Sequence, residues 1–177
     1  SQAPYMVFLN SDTEVTAEWL GAMLDAMRAA PQTAMVGPLS NKAFYQSIRP
    51  ASEGDAPDPW DRTPDDFAAL VTNLTRRAFP RVPFLSGFCL LVHRGAFDLA
   101  GGLDVVAFPF GYWEVQDLSL KLTDLGYDSV IADNAYVHHY GSGSINTARR
   151  DSLTSAGRAR MFDRYSALRV LIAEAVS

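Results

Sequence analysis

The chain has 177 residues, of which 48% are hydrophobic and 20% charged, so it is long enough for a domain with a buried core. Its net charge of −5 excludes the generally basic surface by which nucleic-acid-binding proteins are recognised. The single cysteine, Cys89, excludes an internal disulfide framework and fits a reducing compartment.

The first predicted element is a buried strand, Tyr5–Leu9, which breaks into a polar turn. The turn carries Asn10 and Asp12, which we expect at the C-terminal edge of a sheet, where open α/β sheets bind ligands. Their oxygens suit a cation such as magnesium, which takes one or two carboxylates together with substrate phosphates. Asn and Asp also favour turns for local reasons, so a plain turn is the alternative for this stretch alone.

Helix and strand signals alternate through the next part of the chain. Thr16 is predicted to cap an amphipathic helix, and a strand follows over Ala34–Leu39, where Pro38 limits it to an edge or an end. The proline-rich stretch 40–62 is predicted as a long loop, and Thr63 as the cap of a second helix.

A second buried strand is predicted over Pro83–His93, with Gly87 in its middle. A glycine inside a strand often marks the close approach of a ligand, and a bulge is the alternative. Cys89 lies within this apolar run and is predicted to be an inert core residue.

An aromatic loop, Phe108–Trp113, precedes a helix that opens with Glu114 and carries Asp117 in its first turn. Two carboxylates three residues apart lie on roughly the same helix face. They indicate either a general acid or base beneath an aromatic wall, or simple stabilisation of the helix dipole.

The last part of the chain is predicted as two short strands, Tyr127–Ala132 and Ala135–His139, and one amphipathic helix over 145–177. His138 and His139 are adjacent on a strand and face opposite ways, so at most one of them faces a site. The alternative to a histidine that faces a site is a histidine with a purely structural position.

Five motifs occur in order: F-L-N-S-D-T-E-V, L-S-G-F-C-L-L-V-H-R-G-A-F, G-G-L-D, G-Y-W-E-V-Q-D-L-S-L-K-L-T-D-L-G-Y and V-H-H-Y-G-S-G-S. Together they resemble the family 2 glycosyltransferases of the GT-A fold, in the branch that includes rhamnosyl- and galactofuranosyltransferase-like enzymes. The resemblance covers Tyr5 to Ser144. It implies one α/β domain over 1–177, the C-terminal portion of a GT-A domain, with a mixed, mostly parallel sheet flanked by helices and without the first βαβ unit.

The resemblance also implies which residues form the site. A divalent metal, Mg or Mn, would bind Asp12 and His139, with His138 as the fallback. The other implied positions are Asn10, Asp12, Ser86 and Gly87 for the nucleotide sugar, and Tyr112 and Trp113 for the acceptor.

The implied activity is metal-dependent transfer of a sugar, with inversion, from a nucleotide diphosphate sugar to a hydroxyl of a saccharide or lipid-linked saccharide, in cell-surface polysaccharide or glycan synthesis. The family's second acid is replaced by Val115, so Glu114 or Asp117 would be the base. One alternative is a catalytically impaired carbohydrate- or nucleotide-binding module. A metal-assisted phosphoester hydrolase is another, although two-metal sites need more carboxylates.

The predicted partners are the nucleotide sugar and the acceptor, and no nucleic acid. A sheet without its first strands exposes an edge, which predicts a homodimer or pairing with the missing N-terminal unit. The start of the sequence lacks the basic and apolar regions of a signal peptide, and no apolar run reaches the length of a membrane span. We therefore expect a cytoplasmic protein, with a peripheral position at the inner face of the membrane as the alternative.

Overall fold

The computed structural model describes residues 2–48, 61–141 and 147–167. In chain order, the elements in these ranges are β1 (Tyr5–Leu9), β2 (Thr13–Val15), α1 (Trp19–Arg28), β3 (Thr33–Leu39), a short 3-10 helix (Phe44–Gln46), α2 (Pro64–Leu74), β4 (Arg81–Val82), β5 (Cys89–His93), α3 (Arg94–Leu99), α4 (Glu114–Asp124), β6 (Asp128–His139) and α5 (Thr147–Arg164).

The strands form one mixed sheet in the order β1-β5-β3-β6-β2, and β4 also pairs with β6. Helix α1 packs on one face of the sheet through Met23 and Met27. Helix α4 packs on the other face through Leu118 and Leu122. Helices therefore flank the sheet on both sides, which confirms the prediction of an α/β fold.

The prediction of a mostly parallel sheet is wrong. Among the strand pairs in the described ranges, only β3–β6 is parallel, and β5 runs antiparallel to both of its neighbours, β1 and β3. The family resemblance implied a mostly parallel sheet, and the alternation of strands and helices along the chain also favours parallel βαβ units. Burial on both faces gives a strand the same apolar sequence in either direction, so the sequence pattern did not reveal the reversal of β5.

Strand β6 is a single strand of twelve residues, where the sequence predicted two. Its register against β3 shifts between Pro38 and Leu39, opposite the polar pair Asp133-Asn134. Val130 and Ala132 share a core cluster with Ala135 and Val137, although side chains two apart should keep one face. An irregularity at 133–134 therefore exchanges the two faces of the strand, as a β-bulge does.

The strand predicted over Pro83–His93 is also corrected. Only Cys89–His93 forms the long strand, and Gly87 lies in the turn before it, not inside a strand. Cys89 is fully buried, and burial raises the pKa of its thiol to about 12, as expected of an inert core cysteine.

Two predictions about helix ends have different outcomes. The Thr63 cap is confirmed, because its hydroxyl accepts from the N–H of Asp66, whose carboxylate accepts from the N–H of Thr63. The predicted helical cap at Thr16 is wrong: α1 begins at Trp19, and the Thr16 hydroxyl donates to the carbonyl of Tyr136 at 2.6 Å.

Helix α5 ends at Arg164, earlier than predicted. The predicted helical residues 145–146 and 168–177, the Gly/Ser segment 142–144 and the loop residues 49–60 lie outside the described residues. Within residues 2–48, 61–141 and 147–167, no helix is both long enough and apolar enough to cross a bilayer.

Candidate functional site

Strand pairing brings Asp12 and His139 together. Thr13 stands opposite His139 in the β2–β6 ladder, and the N–H of Tyr140 donates to the carbonyl of Asp12 at 2.9 Å. His139 Nε2 lies 3.5 Å from Asp12 Oδ2, and their side chains are 19% and 24% exposed. A carboxylate and an imidazole thus face each other at a partly open edge of the sheet.

His139 is held from two sides by the segment after β3. Asn41 Nδ2 donates to the carbonyl of His139 at 3.0 Å, and the N–H of His139 donates to Asn41 Oδ1 at 2.8 Å. His139 Nδ1 lies 3.3 Å from the carbonyl of Lys42. Because a carbonyl only accepts, this contact favours the proton on Nδ1 and leaves the lone pair of Nε2 facing Asp12.

The sequence analysis missed Asn41. Residues that follow a strand of a parallel pair meet at the carboxyl edge of the sheet, and Asn41 follows β3 just as His139 ends the parallel neighbour β6. That rule, applied to the stretch Ser40-Asn41, would have identified it.

His138 lies on the opposite face of β6 from His139. Its Nδ1 lies 3.1 Å from the hydroxyl of Tyr136, and its ring packs edge-on against Tyr140 with centroids 4.7 Å apart. Burial lowers the pKa of His138, so it is neutral over a wider pH range. The structure thus groups His139, and not His138, with Asp12.

The turn before β5 links two parts of the candidate site. Phe88 stacks on the ring of His139 with centroids 5.1 Å apart, and its carbonyl accepts from the N–H of Asn10 at 2.9 Å. The preceding residue, Gly87, lies against the start of α4: a Cβ built on it would be 3.1 Å from Val115 Cγ2 and 4.0 Å from Glu114 Oε1. Consecutive residues therefore lie beside His139 of the Asp12–His139 pair and near the carboxylate of Glu114.

Ser86 is positioned by a residue that the sequence analysis also missed. The N–H of Ser86 donates to Gln46 Oε1 at 2.7 Å, and Gln46 Nε2 donates to the carbonyl of Pro38 at 2.8 Å. Gln46 is fully buried, and it passes so close to Gly37 that a Cβ there would clash with its amide nitrogen. The Ser86-Gly87 turn is therefore fixed to the end of β3.

One oxygen of the Glu114 carboxylate has no hydrogen-bond partner in the part of the chain that the structure describes. Its Oε2 is buried and accepts no hydrogen bond there, and its carboxylate lies next to Gly111 as well as Gly87. Burial raises the pKa of Glu114 above its ordinary value of 4.5. A buried acid with one open oxygen and a raised pKa, beside two glycines, is suited to exchange a proton with a bound ligand.

Glu114 follows a strained turn. Gly111, Tyr112 and Trp113 have φ values of 83°, 62° and 85°, so two residues with side chains hold the left-handed conformation in succession. Such strain persists only where surrounding contacts fix it, and it is concentrated at functional sites. Here the indole N–H of Trp113 donates to the carbonyl of Thr154 in α5 at 3.0 Å.

Asp117, the other candidate base, has a cation beside each of its oxygens, although Oδ2 meets Lys121 as an ion pair and accepts no hydrogen bond in the described residues. Its side chain is completely buried, with Arg164 Nη1 and Lys121 Nζ each 2.7 Å from one of its oxygens and the Tyr165 hydroxyl at 2.8 Å. Arg164 also lies 2.9 Å from Asp104 Oδ2. This network ties the end of α5 to α4, and it assigns Asp117 a structural position while leaving Glu114 open to a ligand.

Gly157 of α5 lies against the strained turn with no room for a side chain. A Cβ there would lie 2.6 Å from Trp113 Cδ1 and 2.8 Å from the carbonyl oxygen of Tyr112. We expect Gly157→Ala to lower the free energy of unfolding by about 1–2 kcal/mol, because the overpacking outweighs the helix-propensity gain of alanine. Thermal unfolding measures the loss, and tryptophan fluorescence reports the displaced indole.

The matched control is Gly21→Ala in the middle of α1. A Cβ there meets only a side-chain oxygen of Glu18 at an ordinary 3.6 Å, so we expect this change to stabilise by roughly 0.5–1 kcal/mol. Equal effects of the two substitutions would contradict the close packing of α5 on Trp113.

The Asp12–His139 pair offers a metal ion two ligands, and the remaining ligands would come from a bound substrate and water. The pair offers a carboxylate and an imidazole nitrogen, and the described residues contain no group of three or more His, Cys, Asp or Glu arranged to hold an ion. Magnesium and manganese are commonly completed by substrate phosphates and water. The donor set is thus that of a site which a diphosphate would complete.

The comparisons with known proteins give relatives but no family: no family model matches the chain. The chain is 29% identical over 140 residues to an uncharacterized protein of Mycobacterium tuberculosis, covering 78% of this chain and 48% of that protein. It is 31% identical over 150 residues to N-acetylglucosaminyl-diphospho-decaprenol L-rhamnosyltransferase of the same species, covering 79% of this chain and 48% of the enzyme. The chain thus spans about half the length of these curated relatives.

Proposed function

We propose that the chain is part of a family 2 glycosyltransferase of the GT-A fold. In this proposal, the whole protein moves a sugar from a nucleotide diphosphate sugar to a hydroxyl of a saccharide acceptor, with a divalent metal and with inversion. The similarity to an L-rhamnosyltransferase supports a glycosyltransferase at the general level. The five ordered motifs support the family assignment.

One structural observation carries the proposal. In the Gly87-Phe88 turn, Phe88 stacks on His139 of the carboxylate–imidazole pair, and Gly87 lies near the Glu114 carboxylate, whose Oε2 is open in the described residues. Displacement of a diphosphate by a hydroxyl needs two such functions, one for the charge of the leaving group and one for the proton of the nucleophile. In this proposal the pair and Glu114 supply them from the two sides of the Gly87-Phe88 turn.

Each residue has a defined task in this proposal. Asp12 and His139 would hold the metal, and a bound divalent ion would supply positive charge to offset that of the diphosphate. Glu114 accepts the proton of the acceptor hydroxyl while that oxygen attacks the sugar carbon from the side opposite the diphosphate. A single displacement of this kind inverts the configuration at that carbon. Tyr112 and Trp113 form an aromatic wall against which the acceptor sugar stacks.

The acceptor class follows from the relative's name, which specifies an N-acetylglucosaminyl-diphospho-decaprenol. We infer that this protein also acts on a saccharide carried on a polyprenyl diphosphate, in the synthesis of a cell-surface glycan. We propose that it works in the cytoplasm or at the inner face of the membrane.

The first test is a thermal-shift panel of this chain with UDP, GDP and dTDP, each with and without manganese. A ligand at a hundred times its dissociation constant stabilises by about 2.7 kcal/mol, which is a shift of several degrees for a chain of this length. We expect one nucleotide to give a shift that requires manganese and that disappears in Asp12→Ala.

The matched control is Asp98→Ala, which removes an exposed aspartate from α3 and should keep the shift. A shift that survives in Asp12→Ala would contradict the proposed diphosphate site. At position 115 this chain has a buried valine where the resembled family has its second acid. The alternative of a binding module without turnover therefore stays open. Saccharide binding that needs no metal, together with absent turnover, would favour the module.

A further inference from the structure

An apolar surface lies on the turn that leads into the aromatic loop. We call it the apolar turn: Val105, Val106 and Phe110, which are 69%, 88% and 59% exposed. The turn is held in shape, because Asp104 Oδ1 accepts from the N–H of Ala107 at 2.9 Å. Three apolar side chains that a fixed turn exposes to water within six residues typically mark an interaction surface.

Arginines of α5 run beside the apolar turn. Arg149 Cζ lies 5.5 Å from the centre of the Phe110 ring, and Arg164 bonds Asp104 at the other end of the turn. At about 100° per residue, Arg149, Arg160 and Arg164 fall within roughly 60° of one another around the helix. Arg164 is already paired with two carboxylates and fixes the end of the helix beside the apolar turn, so we call Arg149 and Arg160 alone the arginine stripe.

We propose that the apolar turn and the arginine stripe bind the surface of a membrane that carries anionic lipids. Valine and phenylalanine side chains insert at the boundary between headgroups and acyl chains, while guanidinium groups pair with lipid phosphates. The stripe places two exposed positive charges beside the apolar turn, although the chain as a whole carries a net charge of −5.

The shape of the patch favours a lipid surface over a protein partner. A stable protein interface buries about 1,200 Å² or more, whereas the apolar turn consists of three protruding side chains. A small protruding apolar group flanked by cations suits a fluid surface, which deforms around it. In the chain, Tyr112, Trp113 and Glu114 follow directly, so docking here would bring the candidate acceptor site close to the lipid surface; that last step rests on the proposed function.

The test is co-sedimentation of the chain with vesicles of phosphatidylglycerol and phosphatidylcholine, compared with vesicles of phosphatidylcholine alone. We expect binding to the anionic vesicles that weakens with salt. Val105→Asp with Val106→Asp should reduce it roughly tenfold or more, since both side chains leave the bilayer boundary. Arg149→Glu with Arg160→Glu should reduce it at least about tenfold and flatten its salt dependence.

Matched controls lie elsewhere on the surface. Leu74→Asp changes a 77% exposed apolar residue of α2, and Arg28→Glu with Arg76→Glu reverses two exposed charges away from the stripe. All of these control variants should bind as the wild type does. The proposal would be overturned if the wild-type chain did not bind anionic vesicles. It would also be overturned if Val105→Asp/Val106→Asp protein bound them as well as the wild type does.

Membrane binding can also be distinguished from self-association and from nucleotide binding. Self-association in sedimentation velocity that Val105→Asp/Val106→Asp abolishes, without vesicle binding, would mean that the surface joins two copies and would also overturn the proposal. The vesicle assay contains no nucleotide, so its result is independent of the thermal-shift panel. Vesicle binding with no nucleotide shift would sustain the membrane proposal and count against the transferase proposal alone.

Discussion

Glu114→Gln should abolish most sugar transfer while leaving the fold intact. If Glu114 is the general base, its loss costs roughly 10²–10⁴-fold in kcat/KM. Glutamine keeps the shape of the side chain but cannot accept the proton of the acceptor hydroxyl. The measurement is transfer from a donor carrying the nucleotide that gives the thermal shift, to an N-acetylglucosaminyl-diphospho-polyprenol. In the wild type, kcat/KM should rise with pH through the raised pKa of Glu114.

Glu114→Gln should lower activity but raise the stability of the fold near neutral pH. Because burial raises the pKa of Glu114 above 4.5, the folded chain keeps this proton to higher pH than the unfolded chain. Well below both pKa values, Glu114 is protonated in both states and its ionisation does not affect stability. As pH rises from about 4.5 through the folded-state pKa, the cost of ionising the buried carboxylate lowers the free energy of unfolding. Glu114→Gln should melt higher than wild type near neutral pH, and the difference should vanish towards about pH 4.

A matched control is Glu18→Gln, which changes an exposed glutamate at the start of α1 and should alter neither transfer nor the pH dependence of melting. Glu114→Gln protein that transfers sugar at the wild-type rate would remove Glu114 from the mechanism. A melting difference that does not depend on pH would mean that the carboxylate is not held in an unfavourable environment.

The choice between His138 and His139 illustrates how far the sequence could be interpreted. Strict alternation from Val130 and Ala132 would have placed the even-numbered His138 with the α1 face of the sheet. The irregularity at Asp133-Asn134 exchanges the faces, and His139 joins Ala135 and Val137 instead. Alternation requires that only one histidine can face the site, but the bulge decides which one, and nothing in the local pattern reveals it.

Other parts of the site were predictable or not for equally physical reasons. The turn at Asn10 and Asp12 and the helix start at Glu114 follow from local composition, and the structure has both where they were predicted. Asp117 looks equivalent to Glu114 in the sequence, since both lie in the first turn of α4. Its partner Arg164 is 47 residues away, and contacts at that separation leave no mark on a local pattern.

Arg164→Leu should destabilise the packing of α5 on α4. Removing the guanidinium leaves the buried carboxylate of Asp117, among the described residues, with Lys121 and Tyr165 as partners. Loss of one partner of a buried ion pair costs up to about 3–5 kcal/mol, and the two remaining partners reduce this to roughly 2–3 kcal/mol. For a chain of this length, the melting temperature should fall by roughly 4–10 °C.

The loss of stability in Arg164→Leu should depend on the ion pair with Asp117, and removing a different arginine from α5 should not reproduce it. Arg160→Leu changes an exposed arginine one turn earlier and should alter stability by less than about 0.5 kcal/mol. In a chain that already carries Asp117→Asn, Arg164→Leu should cost less than about 1 kcal/mol, because no buried charge is left unpaired. An equal loss in both backgrounds would show that Arg164 acts through Asp104 or through its packing on Phe108. A smaller loss beside Asp117→Asn, with a matching change in Trp113 fluorescence, would establish that this ion pair holds α5 against the turn that positions Glu114.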